Sequence, residues 1–95
     1  MTSKQRAYLK GLAMNIDTIL HIGKSSVTPE FCDSVREAID ARELIKLNVL
    51  KNCLDDPKEI ANVLAERTGS EVVQVIGRKI VLYKPSKDNP KIILN

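Results

Sequence analysis

The stretch Gly23-Lys24-Ser25-Ser26 has the residue types that hold a phosphate. A short run rich in β-branched residues precedes it, and Thr28-Pro29-Glu30 follows as a cap, a first-turn proline and a first-turn acid. A loop of this kind leads into a helix N-terminus, where unpaired N–H groups and the helix dipole favour an anion. Gly23 allows an unusual backbone angle and close approach, Lys24 adds a mobile positive charge, and Ser25 and Ser26 add hydroxyl donors. Such a loop holds phosphates without reading bases. Many strand-to-helix connectors also carry a glycine and a lysine, so an ordinary connector is the competing reading.

Other reactive residue types do not assemble. His21 is the only histidine, sits in an expected strand and has no nucleophile–acid pattern around it. Asp55-Asp56 precedes Pro57 and reads as a helix cap rather than a catalytic carboxylate pair. Cys32 and Cys53 form no CxxC pair, so packed, reduced thiols are expected rather than a zinc site. There is no Walker A loop and no GxGxxG. The chain is expected to be no enzyme and to need no cofactor, metal or small-molecule substrate.

Charge extends the phosphate argument. Residues 1–29 carry Lys4, Arg6, Lys10 and Lys24 against Asp17. Residues 72–95 carry Arg78, Lys79, Lys84, Lys87 and Lys91 against Asp88. The segment between them is acidic, so a fold that joins the ends creates a basic face that attracts polyanions. Arg6 and Lys10 are four apart and share a helix flank beside the small residues Ala7 and Gly11. Arg78, Lys79 and Lys84 join the same surface if the last hairpin faces that way. The aromatic residues are Tyr8, Phe31 and Tyr83, too few for a sheet that stacks bases. Charge, amides and shape therefore carry the expected recognition, which suits structured RNA.

These residues need elements to position them. The chain of 95 residues suits one domain, expected over residues 1–86, with 87–95 as a tail that is partly mobile or docked by its last apolar triplet, Ile92-Ile93-Leu94. Ser3 is expected to cap a helix to about Met14, with Tyr8, Leu9 and Leu12 on its inner face. Residues 18–22 form a strand, and a helix capped by Thr28 runs to about Arg42, burying Phe31, Val35, Ala38 and Ile39. Residues 44–51 alternate as a half-buried strand. A helix from 57 to about 68 buries Ile60, Val63 and Leu64 and stops at Gly69. Strands at 71–76 and 79–84 flank a tight turn at Gly77-Arg78, and the second, apolar on both faces, should be interior. The order α-β-α-β-α-β-β gives an α/β single compact domain with a mixed four-stranded sheet packed with helices. No apolar run is long enough to span a membrane and no secretory signal is evident, so a cytoplasmic protein is expected.

Four segments in combination carry a resemblance. They are Gln5-Arg6-Ala7-Tyr8-Leu9-Lys10-Gly11-Leu12-Ala13, His21-Ile22-Gly23-Lys24-Ser25, Glu43-Leu44-Ile45-Lys46-Leu47, and the run Gln74 to Pro85, containing Gly77-Arg78-Lys79. Across residues 3–86 the chain resembles the CRM domain family (chloroplast RNA splicing and ribosome maturation), in its single-domain bacterial YhbY type. The resemblance implies a fold similar to the C-terminal domain of translation initiation factor three. It also implies RNA binding, ribosomal RNA in precursors of the large subunit as the partner, and a GxxG loop that clamps a nucleic-acid backbone. Here that loop is Gly23-Lys24-Ser25-Ser26, with Ser26 in place of the second glycine. Serine at a positive backbone angle is strained, so a less open or differently shaped loop is expected. The alternative is a protein-interaction module that joins the ribosomal particle through acidic helix faces or the tail. The sequence leaves the RNA segment, the assembly stage and the oligomeric state open.

Overall fold

Strand β4 (Lys79–Tyr83) is apolar on both faces because both of its faces are covered. In the computed structural model, which describes residues 1–94, it lies between β2 (Leu44–Val49) and β3 (Glu71–Ile76), antiparallel to each. Strand β1 (Thr18–Ile22) pairs in parallel with the other edge of β2, giving the order β1-β2-β4-β3. The chain hairpins from β3 back into the middle of the sheet, as a mixed four-stranded sheet requires.

Helices α1 (Ser3–Ala13), α2 (Pro29–Arg42) and α3 (Pro57–Thr68) divide unequally over the sheet. On one face α2 and α3 bury Val35, Ile39, Ile60 and Leu64 against Ile45, Leu47, Val49, Ile80 and Leu82. Cys32 and Cys53 belong to this core as buried free thiols. On the other face α1 places Leu9 and Ala13 over Leu44, Val73, Val81 and Tyr83. Each fully buried leucine or isoleucine contributes about 1.5–3 kcal/mol, so the larger cluster dominates stability.

Local signals set most boundaries. Thr28 accepts the Phe31 N–H at 3.0 Å and Asp56 accepts the Lys58 N–H at 3.0 Å, each before a proline. Gly69 ends α3 at φ 68°, a left-handed angle that glycine adopts without strain. Four expectations need correction. Thr2, not Ser3, caps α1, because Gln5 stands three residues on and closes a reciprocal capping box. Tyr8 is half-exposed rather than on the inner face of α1, and Val63 is on the exposed flank of α3. The strand expected to reach residue 51 ends at Val49.

The tail is held by a residue the sequence reading did not single out. Glu43 is fully buried at a positive φ of 66°. Its carboxylate accepts the N–H groups of Ser86 (2.8 Å), Lys91 (2.5 Å) and Ile92 (2.8 Å), and its own carbonyl accepts from Lys84 at 2.9 Å. Ile92 and Leu94 then pack against the α1 core, while Ile93 points outward. Asn95, the last residue of the expected tail, lies outside the described residues. The tail and α1 meet on the same side of the sheet, so the two basic ends of the chain do come together.

Burial pushes the Glu43 carboxyl up, but the three amides and nearby Lys91 outweigh it and hold the group below its ordinary range. A lowered folded value means that docking is at full strength above the ordinary glutamate range and is lost as pH falls through the lowered value. Acidification from the ordinary glutamate range down through that lowered value should therefore release the tail, seen as movement of the Ser86, Lys91 and Ile92 amide resonances toward free-peptide positions. Hydrogen bonds to a charged acceptor contribute about 1.5–3 kcal/mol each. Glu43→Ala should accordingly lower the melting temperature by at least about 5 °C and abolish exchange protection at those three amides. Unchanged melting and protection would mean that Ile92 and Leu94 hold the tail unaided.

Candidate nucleic-acid interface

Strand direction gathers three connections at one end of the sheet. Strands β1, β2 and β3 all finish there, and β4 starts there. The gathered segments are the loop at 23–28, the loop at 50–56 and the turn at 77–78. Backbone bonds tie them together: Leu50 N–H to Ile22 O at 2.8 Å and Val49 N–H to Arg78 O at 2.7 Å. The Arg78 guanidinium adds a bond to Leu50 O at 3.1 Å. Lys24, Arg78 and Lys79 are all exposed at this end.

The loop itself is a tight turn in which the Ser26 N–H donates to Gly23 O at 3.0 Å. Its central residues, Lys24 and Ser25, are exposed, and none of the loop's backbone bonds uses their N–H groups. The positive φ falls on Ser26, at 55°, rather than on Gly23. The glycine is therefore not required for its angle. A Cβ there would lie 3.7 Å from Asn52 Oδ1 and 3.8 Å from a Leu50 methyl, in ordinary contact. Neither a special angle nor a close approach therefore requires glycine at position 23.

The N-terminus of α2 has less to give an anion than the sequence suggests. Pro29 has no N–H, and the N–H groups of Phe31 and Cys32 are already bonded to Thr28. Glu30 adds a negative charge to the same turn. The loop amides and Lys24 thus supply more of the anion-binding capacity than the helix dipole does.

The remaining basic residues divide by position. Lys10 is exposed on α1, on the side of the sheet that α1 covers. Arg6 is half-buried, and its guanidinium donates to the carbonyls of Val72 and Val73, where β3 carries a bulge against β4. Part of its donor set is thereby spent on the fold. Lys84 lies at the opposite end of the sheet from the loop, 3.3 Å from Thr68 O at the end of α3 and 4.0 Å from Asp40. The structure therefore does not bring Lys84 to the cluster. It adds Lys51, exposed in the 50–56 loop. The break in alternation after Val49 was the available signal for Lys51. Among the described residues, no three His, Cys, Asp or Glu side chains converge as metal ligands. No helix there is long and apolar enough to cross a membrane.

Comparison with known proteins places this geometry. A family model for the CRS1 / YhbY (CRM) domain matches residues 1–84. The chain is 42% identical to "Probable RNA-binding protein YqeI" of Bacillus subtilis over 99% of its own length and 98% of the relative's. It is 31% identical to an RNA-binding protein of Haemophilus influenzae, covering 93% of this chain and 89% of that one. The solution structure of SAV1595 from Staphylococcus aureus, described as a candidate RNA-binding protein, superposes with a TM-score of 0.84 at 47% identity. That match covers 100% of this chain and 99% of the other. Matched in sequence across residues 1–84 and in fold over its whole length, the chain belongs to the CRS1/YhbY (CRM) domain family.

Proposed function

We propose that this protein binds ribosomal RNA in precursors of the large ribosomal subunit, as a cytoplasmic, non-catalytic assembly factor. The observation that carries the proposal is the convergence of the exposed Gly23–Ser26 turn with Lys51, Arg78 and Lys79 at one end of the sheet. Lys24 and the loop amides take one or two phosphates. Arg78, Lys79 and Lys51 extend the cationic surface along the same edge, and Lys10 adds to it from α1. Arg6 contributes with the donors left over from its bonds to β3. Lys84 acts mainly on α3 and is the weakest member of the expected set. Residues 1–86 form the binding unit, and residues 87–94 of the tail dock on the fold. Relatives named as RNA-binding proteins support RNA as the ligand class.

The strained loop position refines the proposal. A non-glycine residue in the left-handed region costs about 1–2 kcal/mol. Replacing it with glycine returns part of that cost to backbone entropy, about 0.5–1 kcal/mol. Ser26→Gly should raise the melting temperature by a few degrees, read by thermal unfolding. A fall in melting temperature would show that the serine hydroxyl compensates for the angle.

Lys24 is exposed, so Lys24→Glu should leave melting unchanged. In titrations of large-subunit rRNA fragments it should weaken binding at least tenfold. It should also reduce the steepness of the log–log salt dependence by about 0.7–0.9, one phosphate contact. Equal affinity and equal slope in the two proteins would reject the loop's role. Binding to assembled particles but not to naked rRNA, judged by co-sedimentation, would favour a protein-interaction module instead.

A further inference from the structure

Strand register leaves the loop-side half of one sheet face only partly covered. Three rows of side chains cross the face on which α1 lies. The row farthest from the loop end contains Leu44 and Tyr83, with Val73 nearby, all buried by α1 and the tail. The middle row runs Thr18, Lys46, Val81 and Gln74. The row nearest the loop end runs His21, Asn48, Lys79 and Ile76. In that last row His21 and Lys79 are exposed, Asn48 is half-buried and Ile76 is 62% exposed.

The row nearest the loop end is open, and in the middle row Thr18, Lys46 and Gln74 are half-buried around Val81, which α1 covers. The chemistry of these two rows is not that of an idle surface. Asn48 and Gln74 each carry a donor and an acceptor, His21 carries a ring nitrogen of each kind when neutral, and Lys46 and Lys79 supply charge. The strands bring no acid to these rows, since Glu71 sits beside Tyr83 at the far end. Lys79 reaches across β2 toward Thr18 Oγ1, at 3.5 Å, so its side chain lies over the face. His21 is two residues before Gly23, so the row runs straight into the phosphate-holding loop.

We propose that this open half-sheet is a second RNA-contacting surface, on which His21, Asn48 and Gln74 bond 2′-hydroxyls of a strand whose phosphates the Gly23–Ser26 loop holds. The inference rests on the RNA-binding reading above and deepens it. The loop provides grip without sequence content, and the sheet face provides discrimination between RNA and DNA. Lys46 and Lys79 keep the strand's backbone close, and Ile76 offers an apolar contact for a base at the β3 edge.

The test separates grip from discrimination. Large-subunit rRNA fragments and single-stranded DNA of matched sequence are titrated into the wild type, the double variant His21→Ala/Asn48→Ala and Lys24→Glu. The double variant removes no lysine or arginine. It should lose about tenfold in RNA affinity, as two hydrogen bonds of ordinary net strength predict, at an unchanged salt slope and with little loss for DNA. Lys24→Glu should weaken both ligands. If Lys24→Glu weakens binding while the double variant matches wild type on RNA and DNA alike, the sheet-face inference is overturned and the loop reading stands. If neither changes, both fall. A readout that needs no variant uses His21, the chain's only histidine. Its ring proton resonances should shift on adding the rRNA fragment, and unmoved resonances at saturating RNA would overturn the inference.

Discussion

A single eleven-residue helix cannot cover one face of a four-stranded sheet, and the rest of this structure follows from that shortfall. A helix is about 10 Å across, whereas strands of five or six residues run about 17–20 Å. On the first face two helices close the gap. On the second, α1 lies across β2 and β3 and covers one end of the strands. The other end must be faced with residues that tolerate water. The chain places His21, Lys46, Asn48, Gln74 and Lys79 there, in register, beside the three connections that carry Lys24, Lys51 and Arg78. The division between core and interface is thus a matter of helix number.

The same shortfall explains the tail. Even the covered half of that face needs more apolar cover than α1 supplies, and Ile92 and Leu94 provide it. Their approach is fixed by Glu43, a buried carboxylate surrounded by tail amides. Buried charge is tolerated where hydrogen bonds replace water, and here three backbone donors do so. Lys91 reinforces the arrangement by bonding Ala41 O at the end of α2. The basic ends of the chain are held on one side of the sheet by apolar packing and a single acid.

What could be read from the sequence was what local chemistry decides. The paired caps Thr28-Pro29 and Asp56-Pro57, the stop at Gly69 and the alternation of Ile45, Leu47 and Val49 set element order and sheet composition correctly. The strain at Ser26 was also visible, because a serine standing where a glycine is expected has few backbone choices. Contacts distant in sequence were not visible. Glu43 meets residues 43 to 49 positions away, Arg6 meets carbonyls at 72 and 73, and Lys84 meets the end of α3. No period or motif announces these contacts, yet they decide which cations are free for a ligand. The capping box at Thr2 and Gln5 and the break in alternation after Val49 were local signals overlooked; at the cap, Thr2 and Ser3 are both competent and only the glutamine three residues on distinguishes them.

The central claim is that one end of the sheet, with its loop and open face, meets the RNA. Ultraviolet crosslinking of the intact protein to large-subunit rRNA fragments, followed by mass spectrometry of the attached peptides, tests it directly. Crosslinks should concentrate at residues 21–26, 46–52 and 74–79, with few in α2 or α3. Crosslinks concentrated on the outer faces of α2 and α3, with the loop and the open half-sheet unmarked, would contradict the account.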